Sequence, residues 1–292
     1  MGKAVYEIKK LEAGDFPPLL KEINDPPKEL FIQGKLPEEG TLYLSVVGSR
    51  RFSNYGKDAC EKIISGLTGY NIAIVSGLAI GIDAIAHKAA LEAGLKTVAV
   101  PGSGLDPKVL YPRINVPLAK KILEADGALI SEFDPDFRAT KWSFPQRNRI
   151  MAGMSPATLL IEAGERSGTL ITARLAMEYN RDVLVVPGSI FSKNSAGANR
   201  LISDGASPIT NALDVLHVLG INTDEQSPEK KEEDYNKLTN NEKKLLDLVR
   251  EPLERDELIR RLDMPTSQAS ALITMAEING IIKESGGQFH IV

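Results

Sequence analysis

Six short apolar runs, separated by helical patterns, constrain this chain more than any other feature. They are Leu42–Val47, Ile72–Val75, Thr97–Pro101, Ala128–Ile130, Thr158–Glu162 and Val183–Pro187. Runs this short, rich in β-branched residues and stopped by turn formers, read as strands buried on both faces. Between them, Cys60, Ile63, Ile64 and Leu67 recur at helical spacing. So do Ile82, Ile85, Ala86 and Ala89, and then Leu170, Ala173 and Met177. Each set forms one apolar stripe on a helix. The alternation predicts a Rossmann-like, doubly wound, mostly parallel α/β sheet over residues 41–220. Ligands of such sheets bind at the carboxyl ends of the strands.

Those ends are where the informative residues fall. The first run leads into Gly48-Ser49-Arg50-Arg51, with Ser53 or Asn54 placed to cap the next helix. Free backbone N–H groups, a positive helix end and two arginines together attract phosphate. Ser167-Gly168-Thr169 offers a second turn of this kind. Ser76, Gly77, Gly81, Asp83, Gly102, Gly104 and Glu162 stand near other strand ends and are candidate pocket-lining residues. Residues 138–149 add four basic residues, no acid and the only tryptophan, with Lys141, Trp142, Phe144, Arg147, Asn148 and Arg149 as candidates for binding DNA. Cations interleaved with aromatics suit a single strand, whose phosphates run beside exposed base faces. The competing reading packs Trp142 and Phe144 into the core.

The rest of the composition excludes several classes. The net charge is −4, so a nucleic-acid site must be a local patch. One cysteine excludes a disulfide framework and fits a reducing cytoplasm. No apolar run reaches a membrane span, and the start lacks a signal-peptide core. There is no Gly-x-x-x-x-Gly-Lys-Ser/Thr loop and no Gly-x-Gly-x-x-Gly fingerprint. His87, His217 and His290 lack metal-ligand spacing, so neither a metal nor a cofactor is expected. Glu162 is the best candidate for a catalytic acid, but no partner carboxylate or histidine accompanies it.

Outside the alternating region, residues 1–40 read as a proline-punctuated lead-in packing across the sheet edge, with a short helix from Pro18 to Ile23. Residues 221–237 read as a charged linker. From 238 to 292, three helical stripes end in a hairpin signal at Ser285-Gly286-Gly287-Gln288, which suggests a small winged-helix-like domain. Its third helix, between Thr266 and Gly280, has no lysine or arginine. That argues for a protein-contact or regulatory module over groove reading.

Several stretches together are specific. They are Val47-Gly48-Ser49-Arg50, Ser76 to Asp83, Leu129-Ile130-Ser131-Glu132, Phe144-Pro145-Gln146-Arg147-Asn148-Arg149-Ile150, Ser167 to Ala173, Val186-Pro187-Gly188-Ser189 and Gly197 to Ile202. With Leu19 to Ile23 and Asp25-Pro26-Pro27, they make the chain resemble the DNA-processing protein A (DprA/Smf) family over nearly all its length. The resemblance implies an extended Rossmann domain, single-stranded DNA binding without catalysis, homodimerisation, and handover of the strand to RecA recombinase in natural transformation. It implies phosphate contacts from Arg50 and Lys141 and a base against Phe144. Little precedes Pro17, where many members carry a helical domain, so roles tied to that domain are not expected. An alternative reading is a nucleotide phosphoribohydrolase of a related Rossmann-like group, with Glu162 in its pocket. The Pro-Gly-Gly-x-Gly-Thr-x-x-Glu stretch of that group is missing.

Overall fold

The proline-punctuated beginning of the chain holds two strands that its pattern does not announce. In the computed structural model, β1 (Ile8–Leu11) and β2 (Leu30–Gly34) pair antiparallel, with the short helix α1 (Pro18–Lys21) between them. They extend the main sheet instead of merely packing across its edge. The structure describes residues 6–221, 239–249, 253–285 and 287–291. The chain divides into two units at Ile221. Apart from Ile221, the expected linker lies outside the described residues.

The first unit continues with β3 (Leu42–Val47), α2 (Asn54–Ser65), β4 (Ile72–Ser76), α3 (Ile82–Glu92) and β5 (Lys96–Ala99). Then come α4 (Val116–Glu124), β6 (Ala128–Ser131), α5 (Ser143–Met154), β7 (Ala157–Leu160) and α6 (Thr169–Glu178). It closes with β8 (Asp182–Val185), α7 (Ala196–Ser203), β9 (Ser207–Pro208) and α8 (Ala212–Val218). The strands lie in the order β1-β2-β6-β5-β4-β3-β7-β8-β9. From β6 to β9 every pairing is parallel, and β2 joins β6 antiparallel.

Both faces of the sheet are covered, as a parallel sheet requires. Leu44 and Val46 of β3 point to one face, among Cys60, Ile63 and Ile64 of α2 and Ile82, Ile85 and Ala86 of α3. Val47 points to the other, among Ile150, Met151 and Met154 of α5 and Ala173 and Ala176 of α6. One stripe departs from expectation. Met177 is exposed, and α6 buries Thr172, Ala173 and Ala176 instead.

The order of the strands fixes where a ligand fits. From β3 the chain winds outward through β4, β5 and β6. It then returns over α5 to lay β7 on the opposite side of β3. The loops after β3 and β7 therefore diverge, and a crevice opens between them.

The second unit holds α9 (Asn240–Leu248), β10 (Leu253–Glu254), α10 (Arg255–Arg261), α11 (Thr266–Ile278), β11 (Ile282–Ser285) and β12 (Gln288–Ile291). Its strands form an antiparallel sheet in the order β10-β12-β11. Thr239 and Glu242 make a capping box on α9. Leu245, Leu258, Leu262, Ile273 and Phe289 form a core of its own. Among the described residues this unit has three helices and a three-stranded antiparallel sheet; β10 is the piece the sequence does not signal. Gly286 of the hairpin signal lies outside the described residues.

Candidate nucleic-acid interface

The crevice at the carboxyl ends of β3 and β7 is an open groove of about 580 Å³. One wall is the turn Gly48-Ser49-Arg50-Arg51. Another is the first half of α5, with Phe144, Pro145, Arg147 and Asn148. A third is the turn into α6, with Arg166, Ser167, Gly168 and Thr169. These residues come from distant parts of the chain and meet because the winding reverses between β3 and β7.

The turn after β3 is fastened from beneath. Ser53 caps α2, its Oγ accepting from the Gly56 N–H at 3.1 Å. Glu162 accepts from the Ser53 N–H at 2.9 Å and from its hydroxyl at 2.6 Å. The Ser49 hydroxyl accepts from the Arg51 N–H at 3.0 Å. Gly81 supports the turn from below, with φ of +92°, and a side chain there would run into the Ser49–Arg50 backbone.

Arg50 and Arg51 are exposed on the rim. The Arg50 guanidinium lies 5.2 Å from the centre of the Phe144 ring, within cation–π range. Phe144 is half-buried and leans on Tyr111, with ring centres 5.7 Å apart. Arg166 is a third exposed cation on the rim. At the opposite wall the Ser167 hydroxyl accepts from the Thr169 N–H at 3.2 Å, at the start of α6.

The floor is charged but closed. Arg147 is buried, and its Nη1 donates to the carbonyls of Gly77 and Val100. Its Nε donates to Asn148 Oδ1 at 3.1 Å. A side chain at Gly77 would occupy the place of this guanidinium. Asp83 is buried beside it and accepts from the Gly77 and Ala79 N–H groups. Burial pushes the Asp83 carboxyl up, against the opposing pull of Arg147 and those N–H groups. Burial also pushes Arg147 down to about 10, so it keeps its charge at neutral pH. Beneath them, His87 shares a 2.7 Å hydrogen bond with the Thr97 hydroxyl, and burial holds its imidazole down to about 3.

Several expected site residues do not line the groove. Arg149 leaves α5 on another side, ion-paired with Glu132 and, at 3.5 Å, with Asp25. Trp142 is 55% exposed and packs edge-on against Phe133 and beside Phe137. Lys141 is exposed next to it, outside the groove lining. Glu162 is buried beneath the Ser53 cap, both of its carboxylate oxygens accepting from Ser53. Ser76 donates its hydroxyl to the Val46 carbonyl, and Gly102 lies under the Phe144 ring. Gly104 packs against the carbonyls of Asp134 and Pro135, and Gly81 under Ser49. Ser76, Gly102 and Gly104 are buried by this packing, and Gly81 is partly covered. Gly77 lines only a small cleft of about 40 Å³ beside Phe144. Among the described residues, no group of three or more His, Cys, Asp or Glu could hold a metal, and no helix is long and apolar enough to cross a membrane.

A family model described as DNA recombination-mediator protein A matches residues 8–244. This chain belongs to that family. DNA processing protein DprA of Streptococcus pneumoniae is 46% identical over 197 residues, which is 68% of either chain. Protein Smf of Escherichia coli is 42% identical over 204 residues, covering 70% of this chain and 54% of that protein, so the match spans about half of its length. Among solved structures, Streptococcus pneumoniae DprA superposes with a TM-score of 0.67 at 42% identity, covering 72% of this chain and 74% of that one. Helicobacter pylori DprA, solved for its single-stranded DNA binding mode, superposes at 0.64 with 30% identity, covering 73% and 96%.

In this member of the recombination-mediator family, the groove also recruits residues that sequence reasoning misses. Arg166 directly precedes Ser167-Gly168-Thr169, and that adjacency is its one visible signal. Asn194 reaches the groove from the loop before α7, its Nδ2 donating to the Arg51 carbonyl at 2.9 Å. Nothing local in the sequence marks it.

Proposed function

We propose that this chain binds single-stranded DNA along the groove between β3 and β7, protects it, and delivers it to RecA recombinase as a homodimer, without making or breaking covalent bonds. The observation that carries this reading is the placement of Arg50, an exposed cation resting on the half-buried Phe144 ring at the lip of an open groove. An exposed guanidinium pairs with phosphate, and a ring face beside it stacks on a base that is not already stacked in a duplex. Arg51 and Arg166 continue the cationic rim, and Lys141 extends it outside. The relative solved for its single-stranded DNA binding mode supports the same ligand. Enclosure of Glu162 under the helix cap speaks against the phosphoribohydrolase alternative.

The test is the affinity of Arg50→Ala and Lys141→Ala for labelled oligonucleotides of several sequences. Each substitution is expected to weaken binding uniformly and to lower the salt slope by about 0.7 per lost phosphate contact. Unchanged affinity and slope in both variants would remove the groove from consideration. Handover is tested separately, by asking whether the protein accelerates RecA filament growth on a protected strand.

A further inference from the structure

An apolar patch flanks the groove at its Asn194 end. Phe191 is 92% exposed and Ile190 84%, with Tyr55 and Phe52 about half exposed. Two hydrogen bonds join the two segments that carry them. Asn194 Nδ2 donates to the Arg51 carbonyl, and the Tyr55 hydroxyl donates to the Pro187 carbonyl at 2.5 Å.

The loop is also braced internally. Asn199 clamps Gly188 from both sides, accepting its N–H at 3.1 Å and donating to its carbonyl at 2.9 Å. The Phe191 N–H donates to the Ser189 hydroxyl at 3.3 Å, and the Ser192 N–H to the Ser189 carbonyl at 3.0 Å. Ile190, Phe191, Phe52 and Tyr55 are thus exposed apolar side chains on two segments joined by hydrogen bonds, and a cluster of that kind is what marks an interaction surface.

We propose that Phe191, with Phe52 and Tyr55, forms a second stacking platform that takes bases of the same single strand beyond Arg51. The inference rests on the reading of the groove as a strand-binding site. Three observations favour bases over a protein partner. The patch is continuous with the groove, because Arg51 and Asn194 line it and Phe52 is the residue after Arg51. Cations are interleaved with the rings, with Arg50 and Arg51 before Phe52 and exposed Lys193 two residues after Phe191. Residues 187–195 contain no acid. That mixture suits a polyanion carrying flat apolar bases, whereas the centre of a protein interface is depleted in charge.

The experiment uses the full chain and three fluorescent probes. They are an oligothymidylate just long enough to fill the groove, a longer one, and an abasic deoxyribose-phosphate chain of the longer length. Phe191→Ala is expected to weaken the long oligothymidylate about tenfold, a size one base–aromatic stack supplies, and to leave the short and abasic probes unchanged. Phe191→Trp should bind the long probe as wild type does, and Phe191→Leu should not. Arg50→Ala should weaken all three probes. If Phe191→Ala and Phe191→Leu bind the long probe normally while Arg50→Ala fails, the platform is wrong and the groove stands. Loss on the short probe equal to that on the long one also overturns the extension. If Arg50→Ala binds all three normally, the groove reading falls and the platform with it.

Discussion

Arg147 on the floor of the groove and Arg50 on its rim are neighbours of the same ring and the same carboxylate, yet they are held in opposite ways. The Arg147 guanidinium is buried, bonded to two carbonyls and faced by Asp83. Arg50 is exposed and touches Phe144 through its face. The floor cation ties together the loops after β4 and β5, which sets the shape of the crevice. The rim cation has N–H groups left for a ligand. A cationic groove is therefore two layers with different duties, and the count of arginines in it overstates its capacity for phosphate.

The comparison is broken most severely at the floor. Arg147→Ala strands Asp83 without its counter-charge and leaves two carbonyls unpaired. It should cost about 1–3 kcal/mol of folding stability for each buried carbonyl left unpaired, measured by urea unfolding. Arg50→Ala should change stability by no more than about 0.5 kcal/mol, as surface substitutions do.

The floor should also be sensitive to acid. His87 is held at about 3 when folded, against 6.5 in the open chain. The unfolded chain binds the extra proton between those values. Stability from the neutral imidazole is then complete above pH 6.5 and lost progressively toward pH 3, on the order of a few kcal/mol. Asp83, with its carboxyl raised by burial, contributes the opposite slope, losing stability as pH rises from 3.8 toward its folded value. The urea midpoint should fall as pH drops through this range in the wild type, and fall less in His87→Gln.

Smaller effects sharpen the same contrast. Arg149→Ala leaves Glu132 without its ion pair and should cost about 1–3 kcal/mol. Strand affinity should be unaltered under conditions where the variant is folded, because Arg149 does not reach the groove. Lys141→Ala should shift stability by about 0.5 kcal/mol or less and weaken strand binding, with a shallower salt slope.

The sheet was legible because its parallel strands are buried on both faces and read as continuous apolar runs. β1 and β2 were not. Ile8-Lys9-Lys10-Leu11 at the sheet edge is half charged, and the prolines around both strands hide the pattern. At the site, the turns at Gly48 and Ser167 could be placed, since strand ends and helix starts carry local signals. The directions of side chains on α5 could not be read from composition alone. Arg147 and Arg149 are two residues apart, so they leave the helix about 200° from each other, and one faces the groove floor while the other faces Glu132. Glu162 looked available because its partner Ser53 is 109 residues away. Asn194 was invisible for the same reason, since it reaches Arg51 over 143 residues.

The most direct measurement is a titration of labelled single-stranded and duplex oligonucleotides of equal length with wild-type protein and Arg50→Ala, repeated at rising salt. The account predicts tighter binding of the single strand, a negative salt slope, and loss of affinity on substitution of Arg50 with stability intact. Equal affinity for both forms, or single-strand binding that ignores Arg50, would contradict it.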